Sequence, residues 1–251
     1  MVAQQYNLDT IANNLSNVNT TAFKQQRAEF EDLTYQTLKG SGTPDSNGQL
    51  LPAAMQIGLG ANYASSSSNF QQGPMQSTGN ALDVAINGNG FFAVIGPNGN
   101  PAFTRDGSFK TDANGLLVTS DGYPIEPAIT VPSGSTAVNI GSDGAVSAIL
   151  PGSTEPTIIG TLTISMFSNP AGLTRIGQNL YTSGGASGEP TAVAPGEEGA
   201  GTLQSTYLEG SNVQVVDEMV RMIMAQRAYE VNSKAIQTAD DMLSVLNNLI
   251  R

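Results

Sequence analysis

The sequence predicts an α+β protein: long N- and C-terminal heptad helices pairing as a coiled-coil-like domain, with an inserted all-β domain rich in hairpins. Three observations carry this reading. An apolar stripe with helical spacing opens the chain, a longer one closes it, and the residues between them are dense in Gly, Pro and Asn-Gly or Asp-Gly turns. The boundaries that follow are an N-terminal helix over 1–38, an extended arm over 39–79, a β domain over 80–207 and a C-terminal helix over 208–251.

In the first segment Leu8, Ile11, Leu15, Val18 and Ala22 recur in alternating steps of three and four, the a/d seam of a heptad, and Met1 extends it by one repeat. The opposite face carries Gln4, Gln5, Asn7, Asn13, Asn14 and Asn17. Amides of this kind bond to neighbours without desolvating a charge. The helix is expected to falter near Asn17 to Thr21, where Asn and β-branched residues crowd, and to resume through Phe23, Phe30, Leu33 and Leu38.

In the last segment Met224, Ala228, Val231, Ala235, Thr238, Met242, Val245 and Leu249 follow in strict steps of four and three. Val216, Val220, Ile223, Ala239, Leu243, Leu246 and Ile250 widen the apolar face. Ser211 with Gln214 fits a capping box. Asp217 and Glu218 suit the positive end of the helix dipole. Asp217 with Arg221 and Glu230 with Lys234 are favourable pairs one turn apart. From 212 to 249 the helix would run about 57 Å at ~1.5 Å per residue, enough to project beyond a β body.

In the middle, Asn-Gly dipeptides begin at 47, 87, 89, 98 and 114 and Asp-Gly at 106, 121 and 143, all favoured hairpin turns. Between them lie β-like runs such as Leu82–Ile86, Phe91–Ile95, Leu116–Thr119, Val146–Leu150 and Thr157–Phe167, spaced as in an all-β barrel or sandwich-like module. Residues 40–79 are rich in Gly, Ser and Gln and read as an extended arm. A hairpin of two helices orders much backbone for little burial, so the two ends are expected to become ordered on assembly with other copies.

Composition narrows the chemistry. The 251 residues include no Cys, no His and no Trp, with 21 acidic against 10 basic side chains and a net charge of -11. This excludes His-based triads, Cys nucleophiles, ordinary zinc sites and disulfides. The anionic balance opposes nucleic acid and anionic membrane surfaces. The longest apolar run, Phe91–Ile95, is far too short to span a bilayer, so no membrane insertion is expected. No charged-then-apolar leader opens the chain, and no cleaved secretory signal is expected. The spacing Gly88-Asn-Gly90-Phe-Phe-Ala93 fits a dinucleotide fingerprint, but no helix follows, and a Gly-rich β-turn accounts for it. Asp112-Ala-Asn114-Gly115 resembles part of a calcium loop without its remaining ligands, and a hairpin turn accounts for it. Glu29, Glu31, Asp32, Glu197 and Glu198 read as solvated acids rather than a glycosidase pair. Arg105-Asp106 reads as a turn-stabilising ion pair. Arg227, on the apolar side of its helix, needs a carboxylate partner if buried. No catalytic residue, metal or cofactor is expected.

A family resemblance rests on motifs along the whole chain. Asn13-Asn14-Leu-Ser-Asn17-Val-Asn19-Thr-Thr-Ala-Phe23-Lys24 resembles the amino-terminal signature of bacterial flagellar rod and hook proteins. Gly88-Asn-Gly90-Phe91-Phe92, Arg105-Asp-Gly107 and Gly122-Tyr123-Pro124 resemble their β motifs, with Asn169-Pro170-Ala-Gly172 and Asn179-Leu-Tyr181 beyond. Glu209-Gly-Ser211-Asn212 and Arg227-Ala-Tyr229-Glu-Val-Asn232 resemble their C-terminal pattern. Family members begin earlier than Met1, so the first helical turns are expected to precede it.

The resemblance implies an axial subunit, exported by the flagellar type III apparatus, that polymerises helically with itself into the hollow distal rod crossing the periplasm and transmits torque to the hook. Its partners would be other rod proteins, the hook protein, and the peptidoglycan-layer and outer-membrane-layer ring proteins. Subunit packing is expected of Leu8, Ile11, Leu15, Val18, Ala22, Val220, Ile223, Met224, Ala228, Val231, Ala235, Met242, Leu246 and Leu249. The arm over 40–79 would add contacts that stiffen the tube. Another rod or hook subunit, a cell-surface glycan-binding β module and a carboxylate-based glycan hydrolase are the competing readings. An axial subunit is expected to have protease-labile ends, with cleavage near Lys24 and Arg221.

Overall fold

A computed structural model describes residues 2–41, 53–152 and 155–249. Two helices, near either end, flank a large β-rich middle, as an α+β architecture requires. The chain divides into two compact units: residues 1–15, 26–67 and 215–251 form one, and residues 16–25 and 68–214 form the other, called here the β body.

In the first unit, α1 spans Val2–Ser16 and α2 spans Val215–Leu249. The 35 residues of α2 extend about 52 Å at ~1.5 Å per residue. The expected continuation of the first helix to residue 38 is not formed. Gln26–Asp32 and Tyr35–Lys39 are strands, paired with Ala61–Ser68 and Met55–Gly58 respectively, and Leu33 N–H bonds to Gly60 C=O across the bend between them. Phe30, Tyr35 and Thr37 favour strands, and pairing with residues distant in sequence overrides a short, imperfect helical period. Much of the arm expected over 40–79 is thus the return half of a β-ribbon.

Asn14 fixes the turn from α1 into this ribbon. Its side-chain amide accepts from Gln26 N–H and donates to Gln26 C=O, each at 2.8 Å, taking the place of a neighbouring peptide unit. Rings add to the unit, with Tyr6 and Phe30 each against Tyr63 at 5.0 and 6.1 Å between centroids. The capping box at the start of α2 is not formed, because the helix begins at Val215 and Ser211 Oγ accepts from Val213 N–H. Arg221 pairs with Glu218 at 3.3 Å rather than with Asp217.

The β body is built on a seven-stranded antiparallel sheet ordered Thr174–Gly177, Leu180–Thr182, Pro101–Thr104, Phe91–Ile95, Ile164–Met166 and Thr191–Val193, with Ile125–Glu126 also paired to Phe91–Ile95. A three-stranded meander follows over Ala137–Ile140, Ala145–Ile149 and Thr157–Thr161. Two further pairs tie the ends of the body together: Thr202–Ser205 with Val84–Asn87, and Tyr207–Glu209 with Met75–Ser77. Successive side chains on a strand face opposite ways. Phe92 accordingly enters the main core with Val84, Ile86, Phe109, Leu117 and Ile164, while Phe91 enters a second cluster with Phe103, Phe167, Leu173 and Tyr181. Phe92 meets Phe109 edge to face at 5.0 Å, and Phe103 meets Phe167 at 4.8 Å.

The hairpin expectation holds at Asn98-Gly99, Asn114-Gly115, Asp121-Gly122 and Asp143-Gly144, which turn between paired segments. It does not hold at 87, 89 and 106, and Asn47 lies outside the described residues. Gly90 has φ +126°, and a Cβ there would stand 2.0 Å from Ile164 Cγ2. A Cβ on Gly107 would stand 1.7 Å from the Val84 carbonyl oxygen. These glycines admit close backbone approach rather than making turns.

Candidate functional site: a buried ionic hub and an exposed helix face

Motif residues from distant parts of the sequence, Lys24, Gly88, Gly90, Arg105 and Glu209, converge in the β body. After Ser16 the chain turns through Asn17–Thr20, and Ala22, at φ +56°, redirects it into the extended run Phe23–Gln25. Val18 and Ala22 therefore leave the helical seam, which among the described residues keeps Leu8, Ile11 and Leu15. Ala22 N–H donates to Glu209 C=O at 2.7 Å. Lys24 then enters the interior with a side chain of 0% exposure.

Glu209 receives it. Its Oε1 accepts from Lys24 Nζ at 2.6 Å and from Gly73 N–H at 2.9 Å, and its Oε2 accepts from Arg105 Nε at 3.0 Å. Lys24 Nζ also donates to Gln71 C=O at 2.8 Å. Arg105 Nη1 donates to the carbonyls of Gly88 and Gly90 at 2.8 and 2.7 Å, with its guanidinium 5.9 Å from the Phe91 ring centroid. This corrects the Arg105-Asp106 pair: Arg105 serves Glu209, and Asp106 instead accepts from Ser108 N–H. One carboxylate thus faces two cations, and the backbone carbonyls of Gln71, Gly88 and Gly90 accept from further donors of the same cations. Burial pushes the Lys24 ammonium below its ordinary pKa; Glu209 opposes that shift and Arg105 adds to it. Among the described residues no buried side-chain N or O lacks a hydrogen-bond partner.

Phe91 backs the hub from the sheet, and Phe23 lies 5.0 Å beneath the Arg175 guanidinium. Sequence reasoning placed Lys24, Gly88, Gly90, Arg105 and Gly107 in motifs without joining them. It missed Glu209 as the common partner of Lys24 and Arg105, and Arg175 altogether. A lone charged residue in an otherwise low-charge chain was the available signal.

The other motif residues lie elsewhere. In α1, Asn14 is buried and Asn13 exposed; Asn17 is half-buried and Asn19 exposed in the following turn. Arg227, Tyr229 and Asn232 are exposed on α2. Of the expected packing residues, Ile11 is buried and Leu8, Leu15 and Ala228 are half-buried. Ile11 and Ala228 line a shallow groove with Gln4, Asn7, Arg221, Met224 and Ala225. Val220, Ile223, Met224, Val231, Ala235, Met242 and Leu246 are exposed, Met224 to 66% and Val231 to 65%. The side chain of Leu249, with Met1 and Ile250, lies outside the described residues. Glu218 is the buried acid of α2, approached by Asn14 Nδ2 at 3.4 Å.

The acids weighed for catalysis have structural duties or stand in solvent. Glu29 accepts from Ser65, Ser67 and Arg27 across the ribbon. Asp112 accepts from the N–H groups of Asn114 and Leu116, each at 2.8 Å, closing its hairpin. Glu197 and Glu198 are exposed. Among the described residues no three Asp or Glu converge as metal ligands, and no helix is long and apolar enough to cross a membrane.

Three segments match known families. Residues 1–24 match the family described as flagella basal body rod protein, residues 85–148 the flagellar hook protein FlgE/F/G D1 domain, and residues 204–249 the flagellar basal body rod FlgEFG protein C-terminal. The hub takes one charged residue from each: Lys24, Arg105 and Glu209. These are the segments of flagellar rod and hook proteins as a class.

Over the full chain, the sequence is 53% identical to the flagellar basal-body rod protein FlgG of Borreliella burgdorferi, covering 96% of that protein. It is 44% identical to FlgG of Caulobacter vibrioides over 99% of this chain and 95% of the relative. It is 35% identical to the rod protein FlgF of the same bacterium over 94% and 88%. The chain belongs to the flagellar basal-body rod protein family. It is a structural rod subunit of the flagellar basal body, assembled with other basal-body components, and not an enzyme.

Proposed function

We infer that this subunit builds the distal rod, polymerising helically with itself into a hollow shaft that carries torque to the hook. The observation that carries this reading is the bare apolar face of α2. Val216, Val220, Ile223, Met224, Val231, Met242 and Leu246 are all exposed. Burying each fully is worth about 1.5–3 kcal/mol, and further copies of the same helix are the natural cover. In the assembled shaft α1 and α2 pack as a coiled-coil-like layer around the bore. Leu8, Ile11, Leu15, Ala228 and Ala235 contribute to that layer. The ribbon adds contacts between subunits. The periplasm-spanning position, export through the flagellar type III apparatus without a cleaved signal, and contacts with hook protein, other rod proteins and both ring proteins complete this reading.

Sedimentation velocity over a concentration series tests it. Open-ended growth that Met224→Glu and Leu246→Glu abolish, with the β spectrum unchanged, supports the shaft. A fixed small oligomer indifferent to both substitutions would refute it.

A further inference from the structure

Residues 16–25 belong to the β body although they are separated in sequence from the rest of it, residues 68–214. They lie in it as a bound peptide would. Thr21 C=O accepts from Asn179 Nδ2 at 3.2 Å, Ala22 N–H donates to Glu209 C=O, and Phe23 C=O accepts from Asn212 N–H at 3.3 Å. Lys24 C=O accepts from Arg175. Gln25 N–H donates to Asn212 Oδ1 at 2.7 Å, and Gln25 C=O accepts from Asn69 N–H at 2.8 Å. Backbone groups are thus answered from Thr21 to Gln25, as in peptide capture by an extended groove.

We propose that the β body is a built seat for an extended, lysine-bearing peptide, that its ligand is this chain's own strap of residues 16–25, and that Lys24 is the anchor. The seat's chemistry selects an ammonium. At the bottom, Glu209 Oε1 and the Gln71 carbonyl oxygen converge on Lys24 Nζ at 2.6 and 2.8 Å, closed to solvent. Above it, Arg175 covers the Phe23 ring. Asn212 locks the rim, its Nδ2 donating to the carbonyls of Asn69 and Gln71 at 2.9 and 3.0 Å. The strap is thereby held by side-chain recognition and not by covalent continuity alone. A chain cut just beyond it remains one complex.

The cut is available at Arg27, whose side chain is 72% exposed, whereas Lys24 is sealed. Brief trypsin treatment of the full chain under native conditions, followed by size-exclusion chromatography and mass spectrometry, tests the proposal. The expected result is a peptide ending at Arg27 that co-elutes with the fragment bearing Arg105 and Glu209, and separates only in denaturant. Cleavage after Lys24 while the body is intact, or loss of the Arg27-ended peptide on the native column, would overturn it. Lys24→Glu sets a carboxylate against Glu209 and should lower retention at least tenfold while the body keeps its β spectrum. Should that variant not fold, Asn212→Ala, which removes the rim contacts, should accelerate peptide loss at least tenfold. Wild-type retention in whichever variants fold would contradict the seat.

Discussion

Lys24 and Glu209 stand 185 positions apart in the chain and meet at 2.6 Å, both side chains closed to solvent. With Arg105 on the other carboxylate oxygen, the hub holds two cations and one anion. Its members are therefore not equivalent. Glu209→Gln leaves two buried cations uncompensated and should cost about 3–5 kcal/mol. Lys24→Met leaves a balanced Arg105–Glu209 pair and should cost less, about 1–3 kcal/mol for the partners it strands. Urea unfolding monitored on the β signal checks the order, read from midpoints at constant slope.

The depressed pKa of Lys24 has a defined consequence for alkaline stability. Below 10.5 and above the lowered native value, the unfolded chain holds the lysine proton and the folded chain does not. Stability then rises with pH across that window, because the unfolded state binds more protons. The charged groups facing Lys24 are Glu209, which opposes the shift, and Arg105, which adds to it. Wild type should gain on Lys24→Met as pH climbs through that window towards 10.5 and run parallel to it below the lowered native value. Paired denaturant titrations at several pH values measure the difference.

Two glycines separate crowding from backbone strain. Gly90→Ala meets Ile164 at 2.0 Å in a conformation disfavoured for other residues. Overpacking and strain together should cost about 3 kcal/mol or more. Gly122 also has positive φ, +88°, but nothing within 4 Å of a Cβ. Gly122→Ala should cost only about 1 kcal/mol. Thermal unfolding of the two variants side by side checks the gap.

Asn14→Ala deletes both hydrogen bonds to the Gln26 backbone and should destabilise the turn from α1 into the ribbon by about 1–3 kcal/mol. Asn14→Asp keeps the acceptor, loses the donor and sets a charge near Glu218, so it should be worse. Hydrogen exchange at the Gln26 amide reports both directly.

Much of this architecture was legible in the residue pattern. Heptad spacing located α2, although the helix starts at Val215, later than the expected 208 or 212, and the Gly-rich middle announced short antiparallel strands. The helix expected through Phe30 and Leu38 was not there, because local period cannot register a partner strand some thirty residues away. Val18 and Ala22 fit the heptad in sequence yet turn out of it, since Ala22 bonds to Glu209 far along the chain. The hub was visible only as separate motif residues. A buried charge is chosen by its partner, and the pairing of Lys24, Arg105 and Glu209 is a property of the closed body, not of any local window.

The central claim is that α2 is an unfinished surface completed by further copies. Hydrogen exchange of the α2 amides, compared between dilute monomer and assembled material, tests it most directly. The account predicts weak protection of residues 229–246 in the monomer, strong protection after assembly, and a β body protected in both. Full protection of those amides in the dilute monomer, unchanged by assembly, would contradict it.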